Sequence, residues 1–164
     1  VLDSPGAPPY TIESPDRIRA GAVIVARSAL VSTLRAQSPT ARVIAIGAPE
    51  QLFDCMRAGA YSFFVEPVSP ASFRDVLHNA LAAENWQDDI VLVSAIPQWV
   101  TLQVRCKMQT LDRLAQFIRV LERDLPGTYC DDIVTAFREL VANAIEHGGR
   151  EDPEKILRIS RIAS

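Results

Sequence analysis

The sequence lacks the surplus of positive charge that a general nucleic-acid binder needs. Its 17 Lys and Arg are outweighed by 20 Asp and Glu, giving a formal net charge of -3. Such a surface does not displace the counterions of a polyanion. No apolar run approaches the roughly 20 residues of a membrane-spanning helix. The segment VLDSPGAPPY has neither the basic nor the apolar region of a secretory signal. Cysteine is scarce: Cys55, Cys106 and Cys130 are odd in number and far apart. They fit no zinc spacing and no disulfide framework, and they read as free thiols of a reducing cytoplasm. Glycine is scarce too, with seven residues, and none builds a phosphate-cradling loop. No Ser/His/Asp or Cys/His arrangement suggests a nucleophile. His78 reads as a partly exposed structural histidine.

Apolar residues make up 48% of the 164, enough for a sizeable core in one domain or two small ones. The first half alternates strands with helices. YTIES, AVIVA, ARVIAIGA and YSFFVEP are strand candidates. SALVSTLRAQ, PEQLFDCMRAGA and SPASFRDVLHNALAAE are helix candidates. Pro49 suits a first helical turn and Gly59 a helix end. Ser69 suits an N-cap with Pro70 at the first helical position. Phe73, Val76, Leu77, Ala80 and Leu81 form one apolar face. Such alternation predicts a parallel sheet covered on both sides.

The acidic stretch at 85–89 marks a boundary between residues 1–84 and 90–164. Trp86 and Trp99 flank it and are expected to pack between the halves or to anchor the linker. Beyond it, IVLVSAIPQWVTLQVRC is strand material interrupted by Pro97. The helix in TLDRLAQFIRVLERDLP has a stripe of Leu111, Leu114, Phe117, Ile118 and Leu121. YCDDIVTAFRELVANAIEHGG is a second helix, with Asp131 or Asp132 at its positive end and Gly148 and Gly149 stopping it. KILRISRI alternates as a strand. Strand, helix, helix, strand predicts an α+β sandwich with its helices on one sheet face.

In the second helix, Ile133, Phe137, Leu140 and Ala144 are expected to enter the core. Glu139, Asn143 and Glu146 or His147 lie on an adjacent stripe, because residues four apart are neighbours. A carboxamide oxygen is a hard neutral ligand suited to Mg²⁺. A carboxylate one turn earlier can accept a proton from water or polarise it for attack on phosphate.

ARVIAIGAPEQLFDCMRAGAYSFFVEPVSPASFRDVL, within residues 10–83, resembles a response-regulator receiver domain of flavodoxin-like fold. The resemblance implies a phosphoacceptor aspartate where Arg27 stands, a Thr or Ser where Gly47 stands, and a lysine where Glu66 stands. It also implies an early acidic pair, of which Asp3 is the single candidate remnant, and a frequent cis bond at Glu66-Pro67. An anion in place of the cation repels phosphate, so the expectation is a degenerate receiver without phosphotransfer.

ELVANAIEHG resembles the asparagine box of the GHKL-type ATP-binding fold, closest in form to the anti-sigma-factor serine kinases. The resemblance covers residues 90–162. It implies ATP and Mg²⁺, with Asn143 as the Mg²⁺ ligand. Glu139 would be the general base or would orient the attacking water or hydroxyl. Glu146 and His147 would line the phosphate side. The family continues into an Asp-x-Gly-x-Gly loop and a glycine-rich lid, and this sequence stops before either, as a fragment would. The expectation is a bacterial cytoplasmic signalling protein whose partner is an anti-anti-sigma factor or a sigma factor. The rival is a non-catalytic module for protein interaction or dimerisation, with both chemistries lost.

Overall fold

A computed structural model describes residues 19–96 and 98–162. The YTIES strand, the early acidic remnant at Asp3 and Pro97 fall outside them.

Three short strands form the first sheet: β1 (Val23–Arg27), β2 (Arg42–Ile46) and β3 (Ser62–Phe64). They are parallel and ordered β1-β2-β3. Side chains alternate across the pleat. Val43, Ala45 and Phe63 enter one core with Val31 and Leu34 of α1 (Val31–Gln37) and with Leu52 and Cys55 of α2 (Leu52–Arg57). Ile44 and Phe64 enter a second core with Val76 and Ala80 of α3 (Pro70–Ala82). The sheet is therefore covered on both sides, as its continuous apolar strands predict. Ser69 caps α3 through Ser72 N–H at 3.4 Å, and Pro70 opens the helix. Of the expected α3 face, Leu81 alone stays 50% exposed. Gly59 closes the α2 segment at φ +85, where a Cβ would meet the Arg35 guanidinium at 2.9 Å. The Glu66-Pro67 peptide is cis, the isomer the receiver resemblance implies.

The second sheet is antiparallel and ordered β4-β5-β6, from β4 (Ile90–Ile96), β5 (Trp99–Arg105) and β6 (Ile156–Ile162). The register shifts between Leu92 and Ser94. Val100, Leu102 and Val104 of β5 face inward with Leu157 and Ile159 of β6. The helices α4 (Leu111–Leu121) and α5 (Gly127–Asn143) contribute to the same core.

One core cluster runs through both halves, and α4 joins them. Leu111, Leu114, Phe117 and Ile118 of its expected stripe are buried and Leu121 is partly buried, but Arg113 and Gln116 on its polar side are buried as well. Arg113 Nε donates to the Tyr61 carbonyl at 2.8 Å. Gln116 Nε2 donates to the Phe63 carbonyl at 3.0 Å. These carbonyls, two residues apart, belong to the sheet's last strand and the residue before it. Two side chains of α4 thus supply the partners that an edge strand otherwise seeks from another chain. Trp86, 3% exposed, packs edge-on against Tyr61 at 5.3 Å. Trp99 is 48% exposed and donates to Thr101 Oγ1.

Candidate functional site

Two places carry the residues singled out by the sequence. The first is the carboxyl end of the parallel sheet, where α/β folds bind ligands. Arg27 ends β1 and Glu66 follows β3, and the two meet at 3.1 Å as an exposed ion pair. Gly47, just past β2, is crowded. A Cβ there would lie 2.4 Å from Ser28 Oγ and 2.6 Å from Gln51 Oε1. Ser28 Oγ donates to Gln51 Oε1 at 2.7 Å, and the same oxygen accepts the Ala48 N–H at 2.9 Å. Gln51 and Ser28 thereby fill the space beside β2 where a hydroxyl side chain would stand. Sequence reasoning placed Arg27, Gly47 and Glu66 individually. It did not foresee that Arg27 and Glu66 would neutralise one another or that Ser28 and Gln51 would close the gap.

The second place is α5. It begins at Gly127 with Pro126 as N-cap and has no acidic residue in its first turn. Asp131 and Asp132 therefore lie inside the helix and not at its start. Proline before the first turn sets the boundary earlier than the acidic pair suggested. Asp131 instead pairs with Arg119 of α4 at 2.5 Å. The buried residues of α5 are Cys130, Val134 and Val141, with Phe137 packed against the core. Ile133 is 40% exposed and Leu140 70%, so the expected inward face is rotated by about one residue. The helix continues as a wide π turn, Ala144–Gly149, and stops with Arg150 at φ 57 and Glu151 at φ 53. Gly149 is buried, and a Cβ on it would sit 2.5 Å from Cys106 Sγ. It serves close packing and offers no cradle for phosphate.

Glu139 and Asn143 lie one turn apart on α5, and Glu146 and His147 follow in the π turn; all four side chains are exposed. None bonds to another described side chain. A cavity of about 270 Å³ lies elsewhere, lined by Gly21, Thr40, Arg42, Glu84, Asn85, Trp86 and Gln87. Among the described residues no group of three His, Cys, Asp or Glu could hold a metal by itself. An amide oxygen and a carboxylate on one helix edge suit a magnesium ion that arrives with phosphate and water as its other ligands. Glu139 and Asn143 offer oxygen donors of the type magnesium takes. The described residues supply no counterpart for an adenine ring and no backbone nest for phosphates.

Several buried polar contacts among the described residues serve the fold. Arg113 is 4% exposed and its guanidinium lies 4.1 Å from the Tyr61 ring centroid and 5.4 Å from that of Trp86. Burial lowers the Arg113 pKa and raises that of Tyr61. A second cation, Arg35, stands 5.0 Å from the Trp86 centroid. Lys107 and the buried Asp89 form an ion pair at 2.7 Å. Asp112 accepts from Asn79 of α3 at 2.6 Å and also binds Arg138 of α5. His78 is exposed.

No family model, curated protein or solved structure matches this chain.

Proposed function

We propose that this is a bacterial signalling protein in which a degenerate receiver-like half is joined to the helix-on-sheet part of a GHKL, anti-sigma-kinase-type ATP-binding domain. Three observations support the first part. The strands of the first sheet run parallel, as the resemblance implies. Arg27 and Glu66 meet with charges opposite to those of an aspartate and lysine. Gly47 has no room for a hydroxyl side chain. A phosphoryl group at this end would meet Glu66 and, among the described residues, no acceptor aspartate, so the half transmits contacts and not phosphate.

The second part is supported by the antiparallel hairpin, the two helices and the return strand. The observation that carries it is the shared solvent-facing edge of Glu139 and Asn143. Asn143 would contact the magnesium ion of a bound nucleotide, and Glu139 would hold a water or hydroxyl by its carboxylate. ATP supplies a phosphoryl group when bound. Glu146 and His147 stand at the same end of the helix. Anti-anti-sigma or sigma factors are the partner class the resemblance suggests.

A fluorescent ATP analogue titrated with Mg²⁺ tests this reading. Saturable, magnesium-dependent binding weakened at least tenfold by Asn143→Ala is the expected result. Absence of binding, or binding indifferent to that substitution, removes nucleotide chemistry. The second reading, a module that works by partner binding alone, is favoured by the exposed apolar residues on α5, which a purely nucleotide-facing helix has no need to carry.

A further inference from the structure

Tyr129, Ile133, Ala136, Leu140 and Asn143 follow one another along α5 at steps of four, three, four and three. That is the a/d spacing of a helix that seats against another helix. These residues do not face the core. Tyr129 is 64% exposed, Ile133 40% and Leu140 70%, and Ala136 and Asn143 are exposed as well. The core contacts of α5 run through Cys130, Val134 and Val141 instead. The helix therefore carries two apolar seams, and the fold uses one. The outer seam spans about 21 Å at 1.5 Å per residue.

Beside it lie Asp132 and Glu139, seven residues apart. With Ile133 and Leu140 as a positions, they occupy g positions, which set the charge of the partner helix. Both are exposed and neither has an ion-pair partner among the described residues. Glu146, in the wide turn beyond, is exposed and likewise unpaired among the described residues. Two arginines near this helix are already engaged, Arg138 with Asp112 and Arg119 with Asp131.

We propose that this seam docks a basic amphipathic helix of another protein. Its apolar residues seat against Tyr129, Ile133 and Leu140, and its lysines or arginines face Asp132 and Glu139. A second copy of α5 suits the seam poorly. Antiparallel pairing brings the Asp132–Glu139 row against its own copy, carboxylate on carboxylate. Glu139 and Asn143 belong both to this seam and to the proposed magnesium edge, so the seam is read at Leu140, which takes no part in that edge.

The test uses a fluorescein-labelled 21-residue peptide with Leu at a and d and Lys at e and g, and a twin with Glu at e and g. Fluorescence polarisation at low salt should show saturable binding of the Lys peptide and none of the Glu peptide. Leu140→Asp should weaken the Lys peptide at least tenfold, although it makes the protein more negative. Glu139→Lys should weaken it at least threefold. Leu140→Ser repeats the first comparison if Leu140→Asp disturbs the circular dichroism spectrum. Failure of the Lys peptide to bind, or binding unchanged by loss of Leu140, overturns the proposal; the second result would mean charge attraction without a seam. In the nucleotide assay, Asn143→Ala should weaken binding and Leu140→Ser should not, which separates the magnesium edge from the seam.

Discussion

Helices α4 and α5 lie against each other and both carry apolar and polar residues, yet two polar residues on each are used in opposite ways. On α4, Arg113 and Gln116 are buried and bonded to the carbonyls of Tyr61 and Phe63. On α5, Glu139 and Asn143 are exposed and bonded to no described side chain. A polar group that completes a sheet edge belongs to the fold. One that holds no described side chain is left to solvent. The difference separates polar residues that the fold uses from those it leaves free, where residue type cannot.

The largest expected effect is on α4. Arg113→Ala removes a buried donor, its two aromatic contacts and a large side-chain volume, and should cost about 3 kcal/mol in urea unfolding. A loss below about 1 kcal/mol would put the joint between the halves elsewhere. Gly47→Thr should cost about 2 kcal/mol through overpacking against Ser28 and Gln51. It should confer no phosphorylation by acetyl phosphate, since Arg27 still stands where the resemblance puts the acceptor.

Alkaline pH gives a finer test of the α4 joint. Burial, the first cause, raises the Tyr61 pKa, with Arg113 opposing. The folded state then holds the phenol proton more tightly than the unfolded chain. The resulting stability is complete below the unfolded tyrosine value, about 10, and disappears as pH rises through the raised value. Unfolding free energy should therefore fall more steeply above that pH in the parent protein than in Tyr61→Phe. Equal slopes would break the link between Tyr61 burial and the joint. On α5 the effects should be smallest. Glu139→Gln and Asn143→Ala should each change stability by less than about 0.5 kcal/mol.

Much of this fold was legible in local chemistry. The three apolar strands, the Ser69-Pro70 helix start and the α4 stripe all appear where residue type and spacing put them. The mixed α/β character with one parallel and one antiparallel sheet follows from that order of elements. The facing of α5 was not legible. Ile133 and Leu140 lie on one apolar seam, Val134 and Val141 on another, and spacing alone does not say which meets the sheet. The burial of Arg113 and Gln116 was hidden for a related reason. It depends on the unpaired edge around Tyr61 and Phe63, which lies more than fifty residues away in sequence. In the candidate site, the spacing of Glu139 and Asn143 one turn apart could be read from their four-residue step, but the wide turn that changes the step to His147 could not. The Arg27–Glu66 pair could not, because it joins the ends of two strands that neighbour a third between them.

The most direct measurement is a two-dimensional NMR titration of the ¹⁵N-labelled chain with the Lys-faced peptide. The predicted result is a set of shifts concentrated on residues 129–143, with the amides of Arg27, Gly47 and Glu66 unmoved. Shifts centred on the carboxyl end of the parallel sheet, or spread over every acidic surface alike, would contradict the claim that the outer face of α5 is where this molecule meets its partner.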